Sequence, residues 1–247
     1  RLFRNEVKQG LQKFTDVSAA AGIYQSNLSY GLGLSVADLN NDGWDDVYIG
    51  NDFHENDYYY LNNGNGTFTE SGDKAFRHYS RFSMGNDIND FNNDGQPDLV
   101  TVDMLPPDEK VLKTYGSDEN PDTYKFKLTH HGYQYQYSRN ALQVNNGMGT
   151  SFTETALLSG VSATDWSWAP LFADFDNDGV RDLLLGRDEC NTLYFLPNKG
   201  TNRQPLFDAF SQDVPGFGTL PEFPIYHAAY LWQNSLIFHT TGKLHND

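Results

Sequence analysis

Residues 38–46 read DLNNDGWDD and lead directly into an apolar run, VYI, at 47–49. Residues 90–98 (DFNNDGQPD) and 174–182 (DFDNDGVRD) repeat the pattern D-x-[DN]-x-D-G-x-x-D, and each is again followed by an apolar run. These segments are loops 1, 2 and 3 below. Because one unit recurs at long spacing, the sequence predicts a repeat architecture.

The loops offer oxygen atoms at alternate positions and a glycine that permits a sharp turn, which suits a hard cation such as calcium. Positions 1, 3, 5 and 9 supply side-chain oxygens, and position 7 supplies its main-chain carbonyl. The candidate ligands are Asp38, Asn40, Asp42, Trp44 and Asp46 in loop 1, Asp90, Asn92, Asp94, Gln96 and Asp98 in loop 2, and Asp174, Asp176, Asp178, Val180 and Asp182 in loop 3. The sequence therefore predicts about three Ca²⁺ ions with a structural role.

An EF-hand and a plain hairpin turn are the two other interpretations of these loops. An EF-hand requires helices on both sides of its loop, whereas these flanks are rich in β-forming residues. A plain hairpin turn with solvated acids explains one copy well, but three copies with the same ligand positions favour metal binding.

A second motif accompanies the loops. LNNGNGTFTE at 61–70 recurs as LQVNNG at 142–147 with SFTE at 151–154, and weaker versions occur at 2–16 and 193–207. Asn-Gly between apolar runs is typical of a hairpin. The motif phenylalanine precedes the next loop by 24 residues from Phe14 and by 22 residues from Phe68 and Phe152. Each unit thus reads as four short antiparallel strands, which predicts an all-β fold and a β-propeller.

We predict one propeller region over 1–247, with an insertion at about 103–138 and a degenerate last blade at about 206–247 that has lost its carboxylates. Only 107–116 has the composition of a short helix. Residues 235–247 resemble the first half of a unit and 1–14 the second half, which suits either ring closure or a piece of a longer propeller.

Composition limits the function classes. The formal net charge of −16 argues against nucleic-acid and anionic-membrane partners, which attract basic surfaces. Cys190 is the only cysteine, so an intrachain disulfide is excluded. No apolar run approaches the ~20 residues of a transmembrane helix.

The loops, together with YIGNDF at 48–53 and LNNGNGTF at 61–68, resemble the FG-GAP/VCBS repeats of integrin α-type propellers. FSMGND at 82–87 and DWSWAP at 165–170 are similar to bacterial members of the cartilage-acidic-protein and ASPIC/UnbV-like group. This resemblance implies a calcium-loaded propeller outside the cytoplasm, secreted or at the cell envelope or outer membrane, that assembles with other proteins or serves in adhesion.

Outside the loops, Tyr133, Tyr135 and Tyr137 beside His130 and His131 are predicted to form one face of a strand, either as a sugar- or partner-binding surface or as filling between blades. The run HEND at 54–57 is interpreted either as an acid–base or metal group or as a connection after an apolar strand, where charged residues are expected. Trp166 and Trp168 are expected to pack between blades.

The function hypothesis is a binding or scaffold module for a protein or glycan partner, with the insertion as a docking arm of an envelope complex. The alternative is a polysaccharide-active lyase or hydrolase on the same fold. No catalytic residue is assigned, because no pair of carboxylates, nucleophile elbow or H-E-x-x-H stands out.

Overall fold

The fold is taken from a computed structural model, which describes residues 1–8, 10–28, 30–114, 120–187, 193–207, 210–211, 213–214, 218–219, 227–232 and 235–240. It consists mainly of short antiparallel strands. The strands are β1 Phe3–Lys8, β2 Leu11–Asp16, β3 Tyr30–Ala37, β4 Asp46–Asp52, β5 Tyr58–Asn62, β6 Phe68–Glu70, β7 Tyr79–Ser80, β8 Gly85–Asn89, β9 Asp98–Val102, β10 Gln136–Tyr137, β11 Ala141–Asn145, β12 Phe152–Glu154, β13 Ser167–Ala173, β14 Asp182–Arg187, β15 Leu193–Leu196, β16 Asp213–Val214, β17 Gly218–Thr219, β18 His227–Trp232 and β19 Ser235–Thr240. The helices are α1 Gly72–Ala75, α2 Glu109–Thr114, α3 Pro121–His130 and α4 Ala156–Ser159.

Two sheets have the predicted four strands. The first sheet has the order β3-β4-β5-β6, and the second has β12-β11-β9-β8. Loop 1 joins β3 to β4 and loop 2 joins β8 to β9, while an Asn-Gly turn joins β5 to β6 and β11 to β12. Gly64 and Gly147 in these turns have φ of 70° and 116°, which a residue with a Cβ adopts at a cost.

The third sheet has three strands in the order β13-β14-β15, with loop 3 between β13 and β14. Strands β18 and β19 form a separate antiparallel pair, as do β1 and β2. The leading strands β3, β8, β13 and β18 contact one another in that order, so the units follow each other in space as in the sequence.

The residues after each loop alternate between two neighbouring sheets. Tyr48 packs with Leu99 and Phe152 between the first and second sheets. The adjacent Val100 packs instead with Leu183 and Leu185 between the second and third sheets. Period-two alternation in β-strands thus builds one core between each pair of sheets.

The opposite side of the first sheet is exposed. Leu34 and Val36 are 68% and 56% exposed, and they pair in register with Ile49 and Val47. Val47 follows loop 1 as Leu99 follows loop 2 and Leu183 follows loop 3, and both of those leucines are buried between sheets. The exposed face therefore corresponds to a face that is covered in the other two sheets.

The insertion differs in part from its prediction. Helix α2 lies within the predicted range 107–116, but α3 was missed. Asn120 caps α3 by accepting a hydrogen bond from the Asp122 amide at 2.8 Å, and Pro121 occupies the first turn, so the local signal was present. The predicted strand bearing three tyrosines is wrong, because only Gln136–Tyr137 is extended in a sheet.

Other predictions have mixed outcomes. Trp168 packs against the core between the second and third sheets as expected, whereas Trp166 is 39% exposed. Of the degenerate unit, the strand pair β18–β19 is present, while 208–209, 212, 215–217, 220–226, 233–234 and 241–247 lie outside the described residues.

Candidate metal centres

The three loops have nearly the same backbone conformation. Position 4 is an asparagine with φ of 57°, 55° and 61° in loops 1, 2 and 3, and position 6 is a glycine with φ of 88°, 85° and 86°. Two left-handed residues separated by one position reverse the chain tightly, which brings positions 1, 3 and 5 towards the same centre.

Main-chain amides hold the first carboxylate of each loop. In loop 1, Asp38 Oδ1 accepts from the Asp42 amide at 3.0 Å and Oδ2 accepts from the Gly43 amide at 2.8 Å. Asp90 and Asp174 accept the equivalent bonds in loops 2 and 3. The aspartate at position 5 in turn accepts from the amide of position 7, which is Trp44, Gln96 or Val180.

Position 3 distinguishes the loops. Asn40 and Asn92 each donate a side-chain hydrogen bond to the position-5 carboxylate, at 2.8 and 3.0 Å. Asp176 cannot donate in this way when it is ionised. In loop 3, oxygens of Asp174, Asp176 and Asp182 all lie within 4.8 Å of one another, and Asp178 is not part of that group.

The last aspartate of each loop is buried beneath the turn. Asp46, Asp98 and Asp182 are 0%, 1% and 1% exposed. Burial raises the pKa of Asp46 and Asp182 to about 6 and that of Asp98 to about 7, and neighbouring loop carboxylates add to each shift. A cation beside these groups would offset the desolvation and the mutual repulsion.

One oxygen of Asp98 has no hydrogen-bond partner among the described residues. Its Oδ1 accepts from the Asn145 amide at 2.8 Å, but its buried Oδ2 forms no hydrogen bond within the described part of the chain. In loops 1 and 3 the corresponding oxygen accepts from Leu39 or Phe175 at 3.1 Å. The Phe91 amide lies near enough to Asp98 to lower its pKa, but it does not reach hydrogen-bond geometry with Oδ2.

The donor set therefore fits a hard divalent cation. It consists of carboxylate, amide and main-chain oxygens, which are the ligands that calcium takes. The orphaned Oδ2 of Asp98 is a second and independent sign, since buried polar atoms are rarely left unpaired.

The structure also assigns a role that the sequence analysis missed. The main-chain N–H of the asparagine that begins each turn motif donates to the last loop aspartate, from Asn62 to Asp46, Asn145 to Asp98 and Asn198 to Asp182, at 2.8, 2.8 and 2.9 Å. The spacing is 16 residues in the first and third units. This recurrence was the available signal, and the insertion hides it in the second unit.

Neighbouring loops are linked by their position-4 asparagines. Asn41 Nδ2 donates to the Gly95 carbonyl at 3.2 Å and to Gln96 Oε1 at 3.0 Å, and Asn93 Nδ2 donates to the Gly179 carbonyl at 3.1 Å. Loops 1, 2 and 3 thus form a chain of contacts along one side of the molecule.

We expect Asn93→Ala to lower the free energy of unfolding by about 1–3 kcal/mol. The substitution removes a hydrogen bond, and alanine adopts the left-handed backbone at φ 55° less readily than asparagine does. Asn93→Gly is the matched control, since it loses the same bond but accommodates the left-handed backbone. Urea unfolding of both variants separates the two effects. A stability of Asn93→Ala equal to that of the wild type would show that the link contributes nothing.

Residues 38–101 match the FG-GAP-like repeat. The matched range begins at the first aspartate of loop 1, includes all of loop 2 and ends within β9. The match covers the first two loops, and loop 3 repeats their pattern outside it.

Comparison with solved structures gives a more distant likeness. One similar chain is a lectin from Agrocybe aegerita, described as recognising non-reducing terminal N-acetylglucosamine, with a TM-score of 0.46 and 16% identity over 96% of this chain. The present chain spans 53% of that lectin chain. No curated protein matches the sequence significantly.

Two acidic residues outside the loops are buried hydrogen-bond acceptors. Glu55 and Asp57 of the HEND run are 8% and 1% exposed, so they are not solvated acids of a surface connection. Over the part of the chain that is described, no helix has the length and apolarity needed to cross a membrane.

Proposed function

We propose that the chain is a calcium-stabilised β-propeller region that acts outside the cytoplasm as a binding or scaffold module for a glycan or protein partner. The single observation that carries the metal assignment is the orphaned Oδ2 of Asp98 beneath a loop whose other oxygens match calcium chemistry. About three ions would be held by the fifteen candidate ligands of loops 1–3.

The sequential contacts of β3, β8, β13 and β18 support a propeller, in which antiparallel sheets follow each other around an axis. The exposed apolar side of the first sheet supports a further unit packed there. When bound, calcium would supply positive charge between carboxylates that otherwise repel one another. It would therefore fix the turns that carry the strands of neighbouring sheets.

The extracytoplasmic and cell-envelope setting is proposed from the FG-GAP-like repeat and from the likeness of 82–87 and 165–170 to the cartilage-acidic-protein and ASPIC/UnbV-like group. Calcium loops of this kind fill where the ion is abundant, which suits that setting. The insertion at 103–138 would then be available for contact with a partner.

Thermal unfolding in millimolar calcium and in excess chelator tests the metal assignment. We expect calcium to raise the free energy of unfolding by about 2.7 kcal/mol per site when free calcium is 100 times Kd. Magnesium at the same concentration should stabilise less, because it demands near-octahedral geometry and dehydrates reluctantly. Equal melting temperatures in calcium and chelator would refute the proposal.

A further inference from the structure

A groove of about 350 Å³ lies where the insertion meets the first sheet. It is formed by the stretch before β3, the connection between β4 and β5 with the start of β5, the end of β6, and residues 131–133 of the insertion. Its lining includes Tyr24, Tyr58, Tyr133, Glu55 and His131. A larger groove of about 690 Å³ shares Tyr24 and Tyr58 and continues along β3.

The insertion is fixed against this site by hydrogen bonds. The Gln134 amide donates to Asn56 Oδ1 at 3.0 Å, and Gln136 Nε2 donates to the Glu55 carbonyl at 2.7 Å. The Tyr79 amide binds the Tyr135 carbonyl at 2.9 Å, next to the parallel pairing of β7 and β10. Tyr133 is therefore held in place beside the first sheet, which lowers the entropy lost when a ligand binds.

Glu55 organises the hydroxyl groups of the groove. It is 8% exposed and accepts hydrogen bonds from Ser26 Oγ at 2.9 Å, from the Tyr133 hydroxyl at 3.4 Å and from the Tyr58 hydroxyl. Because the Tyr58 and Tyr133 hydroxyls donate their hydrogens to Glu55, their oxygen atoms remain as acceptors for a ligand. The groove thus favours a ligand with several donors.

The aromatic rings give the groove apolar faces. Tyr24 and Tyr58 have ring centroids 5.8 Å apart at 59°, and Tyr24 is 61% exposed. Lys127 lies over one face of the Tyr133 ring at 5.4 Å from its centroid, so that face is already covered and the Tyr24 and Tyr58 rings supply the apolar surface. Rings next to hydroxyl acceptors suit a ligand that has both an apolar face and donors.

We propose that this groove binds a neutral pyranose unit of a glycan. The inference rests on the proposed function as a binding module and names its ligand class. A pyranose has a C–H face that packs on tyrosine and hydroxyl groups that donate to the acceptors around Glu55. An acidic sugar would place its carboxylate near Glu55 and Glu70, which line the same groove.

The test uses the full chain in calcium with an array of neutral hexose and N-acetylhexosamine oligosaccharides and of sialylated and uronic-acid oligosaccharides. Hits are then titrated by calorimetry. We expect binding to a neutral glycan, and an affinity at least tenfold lower for Tyr133→Ala. Tyr135→Ala is the matched control, since Tyr135 is on the same insertion, is 54% exposed and does not line the groove.

Tyr58→Phe keeps the ring and removes one acceptor, and it gives a second measurement should Tyr133→Ala unfold. Preference for acidic glycans, binding of peptides alone, absence of neutral-glycan binding, or equal effects of Tyr133→Ala and Tyr135→Ala would each overturn the inference. Calcium-dependent melting of the same samples separates this outcome from failure of the metal assignment. A chain that calcium stabilises but that binds no neutral glycan refutes the glycan site alone.

Discussion

Asp98→Asn is expected to raise the free energy of unfolding in chelator and to lower it in calcium. In chelator the wild type holds a buried carboxylate with an unpaired oxygen close to Asp90 and Asp94, and burial already raises its pKa to about 7. The neutral side chain keeps one oxygen for the Asn145 main-chain amide and removes the charge that repels Asp94 and Asp90. We expect a gain of about 1–3 kcal/mol from removing the orphaned charged group.

In calcium the sign reverses, because the variant loses a carboxylate ligand at the buried position of loop 2. Loss of one site lowers stability by about 2.7 kcal/mol relative to the wild type when free calcium is 100 times the Kd of that site. This crossover distinguishes a metal ligand from a buried acid with a purely structural role, which would shift stability equally in both media.

Urea unfolding at pH 8 in calcium and in chelator measures the effect. Asp45→Asn is the matched control, since it removes one exposed charge from loop 1 at a position that is not a candidate ligand. It should move stability by less than about 0.5 kcal/mol in either medium. A parallel loss for Asp98→Asn in both media would show that loop 2 holds no ion.

Short sequence patterns predicted the turns and strands, because these depend on the conformational preferences of neighbouring residues. The left-handed glycine of each loop and the alternating apolar residues after it define a turn and a strand within about ten positions. The four-stranded units and α2 were therefore within reach. Helix α3 carried the same kind of signal in Asn120 and Pro121, and it was missed because no apolar periodicity accompanies it.

Contacts between residues far apart in the sequence could not be predicted from short sequence patterns. Glu55 meets Tyr133, which is 78 residues away, because the insertion folds back onto the first sheet. The orphaned oxygen of Asp98 depends on a small difference in the position of the Phe91 amide, and the residue types in loops 1, 2 and 3 do not show it. The chemistry of the groove and of loop 2 thus comes from packing between units.

Truncation of Asp57 is expected to cause the largest loss of stability outside loops 1, 2 and 3. It is 1% exposed and accepts from the Tyr48 hydroxyl at 2.6 Å, the Asn51 amide at 2.8 Å and Ser83 Oγ at 2.8 Å. Asp57→Ala leaves these three buried donors without an acceptor. We expect a loss of roughly 3–5 kcal/mol in the free energy of unfolding, measured in urea.

Asp57→Asn removes the charge and keeps one of the two acceptor oxygens. Burial raises the pKa of Asp57 from 3.8 to about 7, and the neighbouring Asp103 adds to the shift. The folded chain therefore binds more protons than the unfolded chain between pH 4 and 7, so this group's stability is present below about pH 4 and declines towards pH 7. The decline amounts to roughly 4 kcal/mol at 1.36 kcal/mol per pKa unit, and Asp57→Asn should abolish it.

Glu154→Gln supplies the control of opposite sign. Burial alone would raise the pKa of Glu154, but the nearby His78 ring and hydrogen bonds from Arg139 and the Ala156 amide outweigh it and hold the pKa at about 2. Its contribution to stability is present above about pH 4.5 and is lost as the pH falls towards 2, so the stability lost in Glu154→Gln should shrink over that range. A wild type and an Asp57→Asn variant with parallel pH profiles, where Glu154→Gln shows this change at low pH, would mean that Asp57 is ionised throughout and that its three donors stabilise the anion.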